Sequence, residues 1–380
     1  MQIQQPLPEI YRTLPSDQLE RRIGDAKAAL GKTLCILGHH YQSDEVIQFA
    51  DFTGDSLKLS QQAAEQTAKY IVFCGVHFMA ESADILSGPD QVVCLPNMLA
   101  GCAMADMATA EAVTAALDEV ATMTNATIVP VTYVNSTAAI KAITARAGGP
   151  CCTSSNVRNV FAWALAGKGK AGPGKRKILA IPDQHLARNT AFALGYGDDD
   201  CAVYDPALPD GGLDAAKVQR ATFILWKGHC YVHQRFRAEQ VRNVRTLDQD
   251  VTVIVHPECP REVVALADAA GSTEQIIRAV KDGKPGSKWA IGTEANLVNR
   301  LAWQHRDKQI RILSDTPSTC IQMARIDLSH LAWVLESLVQ GQIVNHISVD
   351  PPTAGDARVA LQRMIDIKAV KQVTGKRPGQ

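Results

Sequence analysis

Three cysteines occupy similar places in the sequence, and their thiolates carry its most distinctive chemistry. Each follows a short apolar stretch: Cys102 closes N-M-L-A-G-C, Cys230 closes F-I-L-W-K-G-H-C, and Cys320 closes I-L-S-D-T-P-S-T-C. Thiolates bind iron and zinc, a role in which Ser and Ala replace them poorly. The repeated placement therefore predicts that Cys102, Cys230 and Cys320 hold one metal centre.

The number and spacing of these cysteines bear on the metal. Structural zinc sites usually take cysteines in close pairs such as C-x2-C, whereas these three lie far apart in sequence. Three thiolates also leave one iron of a cubane cluster open to substrate or water, which suits Lewis-acid catalysis rather than electron transfer. The pattern favours a [4Fe-4S] cluster with one open iron. Zinc with three cysteine ligands is the alternative.

Polar side chains recur where three predicted strands end. The strands are Thr33 to Gly38, Ile128 to Thr132 and Val251 to Val255, and they run into H-H-Y, Y-V-N and H-P-E. The side chains at these ends are His39 and Tyr41, Tyr133 and Asn135, and His256 and Glu258. Ligands of open parallel sheets bind beyond the carboxyl ends of the strands. These residues are therefore predicted to share one site.

A second repeated feature is a small hydroxyl-bearing turn that opens a helix. The residues concerned are Ser56, then Ser154 with Ser155, then Ser272 with Thr273. Helix N-termini with Ser or Thr side chains offer N–H and O–H donors to anions. Ser154 is preferred over Ser155 as the binding residue. Taken singly, Ser56 and Ser272 could equally be ordinary helix caps, and Tyr41 and Tyr133 could be core tyrosines.

The remaining cysteines and histidines receive structural interpretations. Cys35, Cys74 and Cys94 lie inside apolar strands and are expected to pack the core. No counterpart recurs for Cys151, Cys152, Cys201 and Cys259. Five histidines near the strand ends are interpreted as supporting residues: His40, His77, His185, His229 and His233. Three others are interpreted as structural: His305, His330 and His346.

The pattern of elements predicts an α/β protein with three related domains. Val- and Ile-rich strands alternate with amphipathic helical segments, which indicates parallel strands joined by crossover helices. Each domain is then a three-layer αβα sandwich with a short parallel sheet, and pseudo-threefold symmetry puts the site at the centre. The predicted lobes are residues 1–106, 107–233 with loop insertions at 168–177 and 195–212, and 234–326. Two C-terminal helices within 327–373 are expected to pack on the first lobe.

Composition excludes several functional classes. Lys and Arg number 39 and so do Asp and Glu, which leaves no electrostatic footprint for nucleic acid or a membrane surface. The N-terminal residues M-Q-I-Q-Q-P-L-P-E-I lack the charged start and apolar core expected of a signal peptide, and no apolar run is long enough to span a bilayer. A cytoplasmic location is expected, where ten cysteines do not form a disulfide framework.

Many motifs together closely resemble the quinolinate synthase family. They include L-G-H-H-Y-Q, N-M-L-A-G-C-A-M-A-D-M, V-T-Y-V-N-S, P-D-Q-H-L-A-R-N-T, W-K-G-H-C-Y-V-H, V-H-P-E-C-P and G-S-T-E-Q-I, in order from about Thr33 to Ile367. The resemblance implies three αβα domains around a central [4Fe-4S] cluster. It also implies a transferase of de novo NAD biosynthesis, which condenses iminoaspartate with dihydroxyacetone phosphate to give quinolinate, phosphate and two waters. An iminoaspartate-producing oxidase is the implied functional partner.

The resemblance also implies a role for each matching residue. Cys102, Cys230 and Cys320 would be the cluster ligands. His39 and Tyr41 would transfer protons and hold the triose-derived part, with His256 and Glu258 as further catalytic groups and Glu258 as general base. Substrate binding would fall to His39, Ser56, Tyr133, Asn135, Ser154, His256, Glu258, Ser272 and Thr273.

Two other functions stay open. One is another [4Fe-4S] hydro-lyase that acts on a different small acid, because a fold does not dictate a substrate. The other is an iron–sulfur sensor, which is disfavoured because the sequence has no basic helix-turn-helix or similar output surface.

Overall fold

The computed structural model describes residues 4–167 and 175–368. Part of the predicted loop insertion at 168–177 and the last residues of the predicted C-terminal helical segment therefore lie outside the described residues. Within the described residues the chain alternates helices with short strands.

The strands are β1 (Leu34–His39), β2 (Phe52–Gly54), β3 (Tyr70–Cys74), β4 (Val92–Cys94), β5 (Thr127–Tyr133), β6 (Cys151–Cys152), β7 (Arg176–Ile181), β8 (Cys201–Tyr204), β9 (Phe223–Trp226), β10 (Thr252–Val255), β11 (Ala269–Ala270), β12 (Lys288–Gly292), β13 (Gln309–Ile312) and β14 (His346–Ile347).

The α-helices are α1 (Glu9–Thr13), α2 (Ser16–Leu30), α3 (Asp44–Ile47), α4 (Ser56–Glu65), α5 (His77–Leu86), α6 (Ala110–Thr122), α7 (Ala138–Arg146), α8 (Val157–Leu165), α9 (Gln184–Ala193), α10 (Ala215–Arg220), α11 (Tyr231–Gln234), α12 (Ala238–Leu247), α13 (Arg261–Leu266), α14 (Thr273–Asp282), α15 (Ala295–Gln304), α16 (Leu328–Val339) and α17 (Pro351–Asp366). Short 3-10 helices lie at Gly31–Thr33, Ala105–Met107, Asp198–Asp200, Pro209–Gly212 and Met323–Arg325.

These strands form three separate sheets in which neighbours run parallel, with one exception. The sheet orders are β14-β4-β3-β1-β2, β6-β5-β7-β9-β8 and β11-β10-β12-β13. Only β14 runs antiparallel to its described neighbour, β4. The central strands β1 and β3 are buried along their whole length, as expected for parallel strands covered on both faces. The predicted α/β class with short parallel sheets is confirmed.

The chain divides into two compact units. The first runs to Cys102 and includes Thr319–Pro351, so it contains the first sheet with α2 and α16. The second holds Ala103–Ser318 and the chain from Pro352 onward, with the other two sheets. Apolar clusters support each of these two sheets: Val113, Ile140, Leu179, Ile224 and Trp226 belong to one, and Val241, Val253, Val255, Ala290 and Leu313 to the other.

The two C-terminal helices belong to different units. Glu336 of α16 is hydrogen-bonded to Arg22 of α2 and to Tyr11 of α1, which ties this helix to the first unit. In contrast, α17 meets residues of the predicted second lobe. The side chain of Arg363 donates to the Gly149 carbonyl at 2.7 Å, and the Asn156 amide donates to the Met364 carbonyl at 2.9 Å.

No helix in the described parts of the chain combines the length and the apolar composition that a membrane crossing requires.

Candidate functional site

In the second unit, the ends of two strands from different sheets meet through Tyr133 and Glu258. Tyr133 is the last residue of β5, and Glu258 follows β10. The Tyr133 hydroxyl donates a hydrogen bond to Glu258 Oε1 at 2.5 Å. Both side chains are buried, with 6% and 3% of their surface exposed. The structure therefore brings together two of the predicted site residues that lie more than a hundred residues apart in sequence.

The Glu258 carboxyl is electrostatically unusual. Its burial raises its pKa, and the nearby charge of buried Asp183 raises it further. Hydrogen bonds from Tyr133 and from the Cys230 thiol act in the opposite direction but are weaker. Burial also raises the pKa of Asp183. A carboxyl that retains its proton toward neutral pH is suited to general acid–base catalysis.

Two histidines stack beside this carboxyl. The rings of His256 and His233 lie 4.2 Å apart with an angle of 13° between them. His256 Nδ1 accepts the backbone N–H of Glu258 at 3.3 Å, so in neutral His256 the proton is on Nε2. Burial lowers the pKa of His233 to about 3, and this ring is neutral at pH 7. His233, which sequence reasoning left as a supporting residue, thus lies directly in the candidate site.

Cys230 contacts the same group of polar residues. It immediately precedes α11, and its backbone N–H donates to Asp183 Oδ2 at 3.2 Å while its thiol bonds the Glu258 carboxyl. Ligand atoms of Cys230, His233 and Glu258 all lie within 4.8 Å of one another. The predicted cluster ligand of this unit is therefore adjacent to the predicted general base.

Sequence reasoning missed Asp183. It follows β7 and caps α9, because Asp183 Oδ1 accepts the Leu186 backbone N–H at 2.7 Å. Its second carboxyl oxygen orients Cys230. The signal was available in P-D-Q-H, since Asp183 also lies beyond a strand's carboxyl end, but in sequence it reads as an ordinary helix cap.

Ser155, rather than Ser154, makes the hydroxyl contact in this unit. Its Oγ donates to Ser272 Oγ at 2.7 Å, and both side chains are buried. Ser272 caps α14 through a reciprocal bond pair with Gln275, and buried Thr273 begins that helix. Ser154 is half-buried and lines a small pocket together with Arg158.

Asn135 retains an unused acceptor. It follows β5 by two residues, and its Oδ1 is buried with no hydrogen-bond partner among the described residues. Buried polar atoms nearly always have partners in folded proteins. A buried acceptor without a hydrogen-bond partner, beyond the end of a strand, fits the predicted contact with a substrate donor.

In the first unit, His39 and Tyr41 form a local pair. His39 ends β1 and is buried, and its Nδ1 accepts the Tyr41 backbone N–H at 3.1 Å. The two rings meet edge to face with centroids 4.7 Å apart. This hydrogen bond fixes the proton of neutral His39 on Nε2, where a substrate oxygen could accept it.

Ser56 begins α4 in the same unit, but it is not the cap of that helix. Asp55 takes that role, because its side chain accepts the Lys58 backbone N–H at 3.0 Å. An ordinary capping role therefore does not account for Ser56, whereas it does apply to Ser272.

Two side chains position the loops that carry Cys102 and Cys320. The Asn97 amide, just before Cys102, donates to the Arg325 carbonyl, just after Cys320, at 3.0 Å. The Gln42 amide, just after Tyr41, donates to the Met323 carbonyl at 3.2 Å. Both side chains are buried. Three segments of the first unit that carry predicted site residues are thus connected.

The described cysteines differ in exposure. Cys102, Cys201, Cys230 and Cys320 are half-buried, the other six are buried, and none of the described cysteines forms a disulfide. Burial raises the pKa of the Cys35, Cys74, Cys94 and Cys151 thiols to about 12, and that of Cys201 to about 11. The pKa values of Cys152 and Cys259 are raised for the same reason. Of the half-buried thiols, those of Cys102, Cys230 and Cys320 are the predicted metal ligands.

Comparisons with known proteins identify the family of the chain. The family model described as "Quinolinate synthetase A protein" matches residues 21–366. Similar proteins named quinolinate synthase come from Geobacillus thermodenitrificans (51% identity, covering 94% of this chain and 96% of the relative), Bacillus cereus (50%, 96% and 97%) and Acidobacterium capsulatum (52%, 94% and 95%). The chain therefore belongs to the quinolinate synthetase A family of enzymes.

Proposed function

We propose that this enzyme condenses iminoaspartate with dihydroxyacetone phosphate to give quinolinate, phosphate and two waters in the synthesis of NAD. The reaction balances without an oxidant or reductant, so its demands are proton transfer and the departure of phosphate and water. The observation that carries the proposal is the chain of hydrogen bonds from Tyr133 through Glu258 to Cys230. It sets a proton-carrying group directly beside a candidate metal ligand.

Glu258 and its neighbours are suited to the proton transfers. Imine condensation, tautomerisation and two dehydrations each need a proton removed from one atom and delivered to another. The raised pKa of Glu258 allows it to hold a proton and release it again. Tyr133 donates a hydrogen bond to Glu258. His256 Nδ1 accepts a backbone N–H, so the proton of neutral His256 lies on Nε2.

His39 and Tyr41 are proposed to serve the triose-derived part of the intermediate. In both His39 and His256, Nδ1 accepts a backbone N–H, so the proton of the neutral ring lies on Nε2. Two strand ends thus present imidazoles in the same tautomer, each able to donate to a substrate oxygen.

Binding of the anionic groups is assigned to hydroxyls and helix N-termini. Carboxylates and phosphate are stabilised by backbone N–H groups and Ser or Thr hydroxyls, which carry no charge that could itself titrate. Thr273 and Ser272 at α14, Ser56 at α4 and Ser154 beyond β6 are the residues proposed for this role. Asn135 Oδ1 offers an acceptor for a substrate N–H or O–H.

Cys102, Cys230 and Cys320 are proposed to hold a [4Fe-4S] cluster. When bound, such a cluster with one open iron supplies a Lewis acid for the loss of hydroxyl groups. We also propose a cytoplasmic location and coupling to an oxidase that supplies iminoaspartate. Coupling is expected because an imine hydrolyses in water and must be used promptly.

Anaerobic reconstitution with iron and sulfide tests this function. The cluster's visible absorption and quinolinate formation are measured in the same preparation, in the parent and in C102S, C230S, C320S and E258Q. We expect the three cysteine variants to lose cluster and product together, E258Q to keep the cluster and lose product, and the control C201S to keep both. A parent cluster without quinolinate would favour another hydro-lyase, and absence of a parent cluster would refute the assignment of the cysteines.

A further inference from the structure

The residues around Cys230 form a compact set of three different metal-binding groups within one unit. The thiol of Cys230, an imidazole nitrogen of His233 and a carboxyl oxygen of Glu258 lie within 4.8 Å of one another. His233 Nε2 is 3.9 Å from Glu258 Oε2. His233 and Glu258 are almost fully buried, and Cys230 is half-buried. Such a set can act without Cys102 or Cys320.

We propose that the protein without its iron–sulfur cluster binds one Zn²⁺ ion at Cys230, His233 and Glu258. Thiolate, imidazole and carboxylate are the three protein ligand types that zinc takes. Tetrahedral zinc bonds of about 2.0–2.3 Å place neighbouring ligand atoms about 3.3–3.6 Å apart. The observed separations, at most 4.8 Å, need to close by no more than about 1.5 Å, which side-chain rotation can supply.

Local structure explains why the three groups converge. Cys230 is the residue immediately before α11 and His233 lies in the single turn of this helix, so the two residues are close in sequence at the same helix. Glu258 approaches from the segment after β10. Its other carboxyl oxygen, Oε1, is held by the Tyr133 hydroxyl, an outer contact of the kind that orients metal ligands.

Charge balance also favours a divalent ion here. Zinc binding displaces the protons of the Cys230 thiol and the Glu258 carboxyl, and the resulting thiolate and carboxylate carry two negative charges that one Zn²⁺ neutralises. Buried charges are tolerated when they are paired or coordinate a metal. Asp183 is a further buried carboxyl next to Cys230, and its Oδ2 orients that residue by accepting its backbone N–H at 3.2 Å.

Zinc at this site would compete with the proposed cluster, and this expectation rests on the proposed function. Cys230 serves both centres, so zinc and the cluster exclude each other. Zinc also binds nitrogen, oxygen and sulfur sites more tightly than ferrous iron does. We therefore expect zinc added before iron and sulfide to reduce cluster formation, and a chelator to restore it.

Metal titration of the full-length chain tests the site. The cluster is first removed anaerobically with a chelator, and Zn²⁺ is then titrated against a chromophoric competitor. Co²⁺ serves as a second probe, because tetrahedral thiolate ligation gives it intense visible bands. We expect one ion per chain, with affinity lowered more than about 100-fold in H233A and E258Q and about 10- to 100-fold in Y133F. The Co²⁺–thiolate band should disappear in C230S.

Controls separate this site from its alternatives. H305A and C201S alter a histidine and a cysteine away from the site and should bind zinc like the parent. C102S and C320S should also retain zinc although they lose the cluster. If C102S and C320S lost zinc as well, the ion would sit among the three cysteines, and the inference would be overturned. Zinc affinity unchanged in H233A would overturn it too, and H233Q repeats this test with a side chain that better preserves packing.

The zinc titration and the quinolinate assay can fail independently. Zinc binding at one equivalent with no quinolinate from the reconstituted parent would reject the proposed function and leave the zinc site in place. Quinolinate formation without zinc binding would do the reverse.

Discussion

Tyr133 and Glu258 are joined by a 2.5 Å hydrogen bond between the ends of strands in two different sheets. Each residue is buried, so each depends on the other to satisfy a polar group that water cannot reach. The pair links a residue expected to contact substrate with one expected to move protons. It is the most direct structural support for the candidate site within the second unit.

Removal of the Tyr133 hydroxyl should damage catalysis more than folding. In Y133F the ring remains, while Glu258 loses one of its two side-chain hydrogen bonds and becomes less well oriented. We expect kcat to fall about 10²-fold, the lower end of what a positioned proton-transfer group contributes. Steady-state kinetics measure this, with circular dichroism as the test of folding. Y196F is the matched control, since Tyr196 packs its ring on Phe223, and an equal loss in Y196F would contradict the assignment.

Substitution of Ser155 should affect stability, whereas substitution of the adjacent Ser154 should affect substrate binding. Ser155 donates to Ser272 in a buried contact, so S155A removes a buried hydrogen bond and should lower the free energy of unfolding by about 0.5–1.5 kcal/mol. Replacement of half-buried Ser154, which is proposed to bind substrate, by Ala should instead raise KM and leave the free energy of unfolding unchanged. Urea unfolding and kinetics on both variants distinguish the two. A raised KM in S155A alone would show that Ser155 is the binding residue.

Asn97 is expected to control how firmly the cluster is held. N97A loses the bond to the Arg325 carbonyl and also the bond that Asn97 Oδ1 accepts from the Leu99 backbone N–H at 2.9 Å. The loops of Cys102 and Cys320 should then be less well positioned for iron. We expect faster cluster loss to a chelator, followed by its visible absorbance. N125A changes an exposed asparagine and should lose cluster at the parent rate.

Glu336 should make stability depend on acid pH. Burial alone would raise its pKa, but hydrogen bonds from Arg22 and Tyr11 hold the pKa below the ordinary glutamate value. A carboxyl with a lowered folded-state pKa contributes stability above its unfolded pKa of about 4.3, and the contribution is lost as pH falls through the folded pKa.

E336Q should therefore destabilise the protein at pH 7, by about 1–3 kcal/mol, because charge-assisted bonds are lost. The difference from the parent should shrink as the pH is lowered below 4. Denaturant unfolding at several pH values measures it. The control D17N removes an exposed ion pair with Arg21 and should change stability by less than about 1 kcal/mol. A pH-independent difference for E336Q would contradict the interpretation.

Periodicity and strand-end chemistry predicted the architecture because both are local. The predicted strands before His39, Tyr133 and His256 agree with β1, β5 and β10 to within about one residue at most ends. Strands of parallel sheets are continuous apolar runs, and such runs can be recognised in a sequence. The core positions expected for Cys35, Cys74 and Cys94 follow from the same reading, and all three are buried.

What sequence could not supply were contacts between distant segments. The pairing of β14 with β4 and the hydrogen bonds of α17 with Gly149 and Asn156 involve short or generic stretches. Asn97 and Gln42 bond backbone carbonyls, which have no residue type to recognise. Asp183 is hard to recognise in the sequence because one carboxyl oxygen caps a helix, which is a common role, while the other orients Cys230.

The composition of the first unit from two distant stretches affects how the protein is made. The ribosome synthesises the chain up to Cys102 first, yet β14, α16 and the partner of Asn97 come from Thr319–Pro351. Strand β4 consequently waits for its antiparallel neighbour, and Cys102 for its connection to the Cys320 loop, until Ala103–Ser318 has been synthesised. The part of the protein that is translated first therefore cannot complete its sheet until most of the chain has been made.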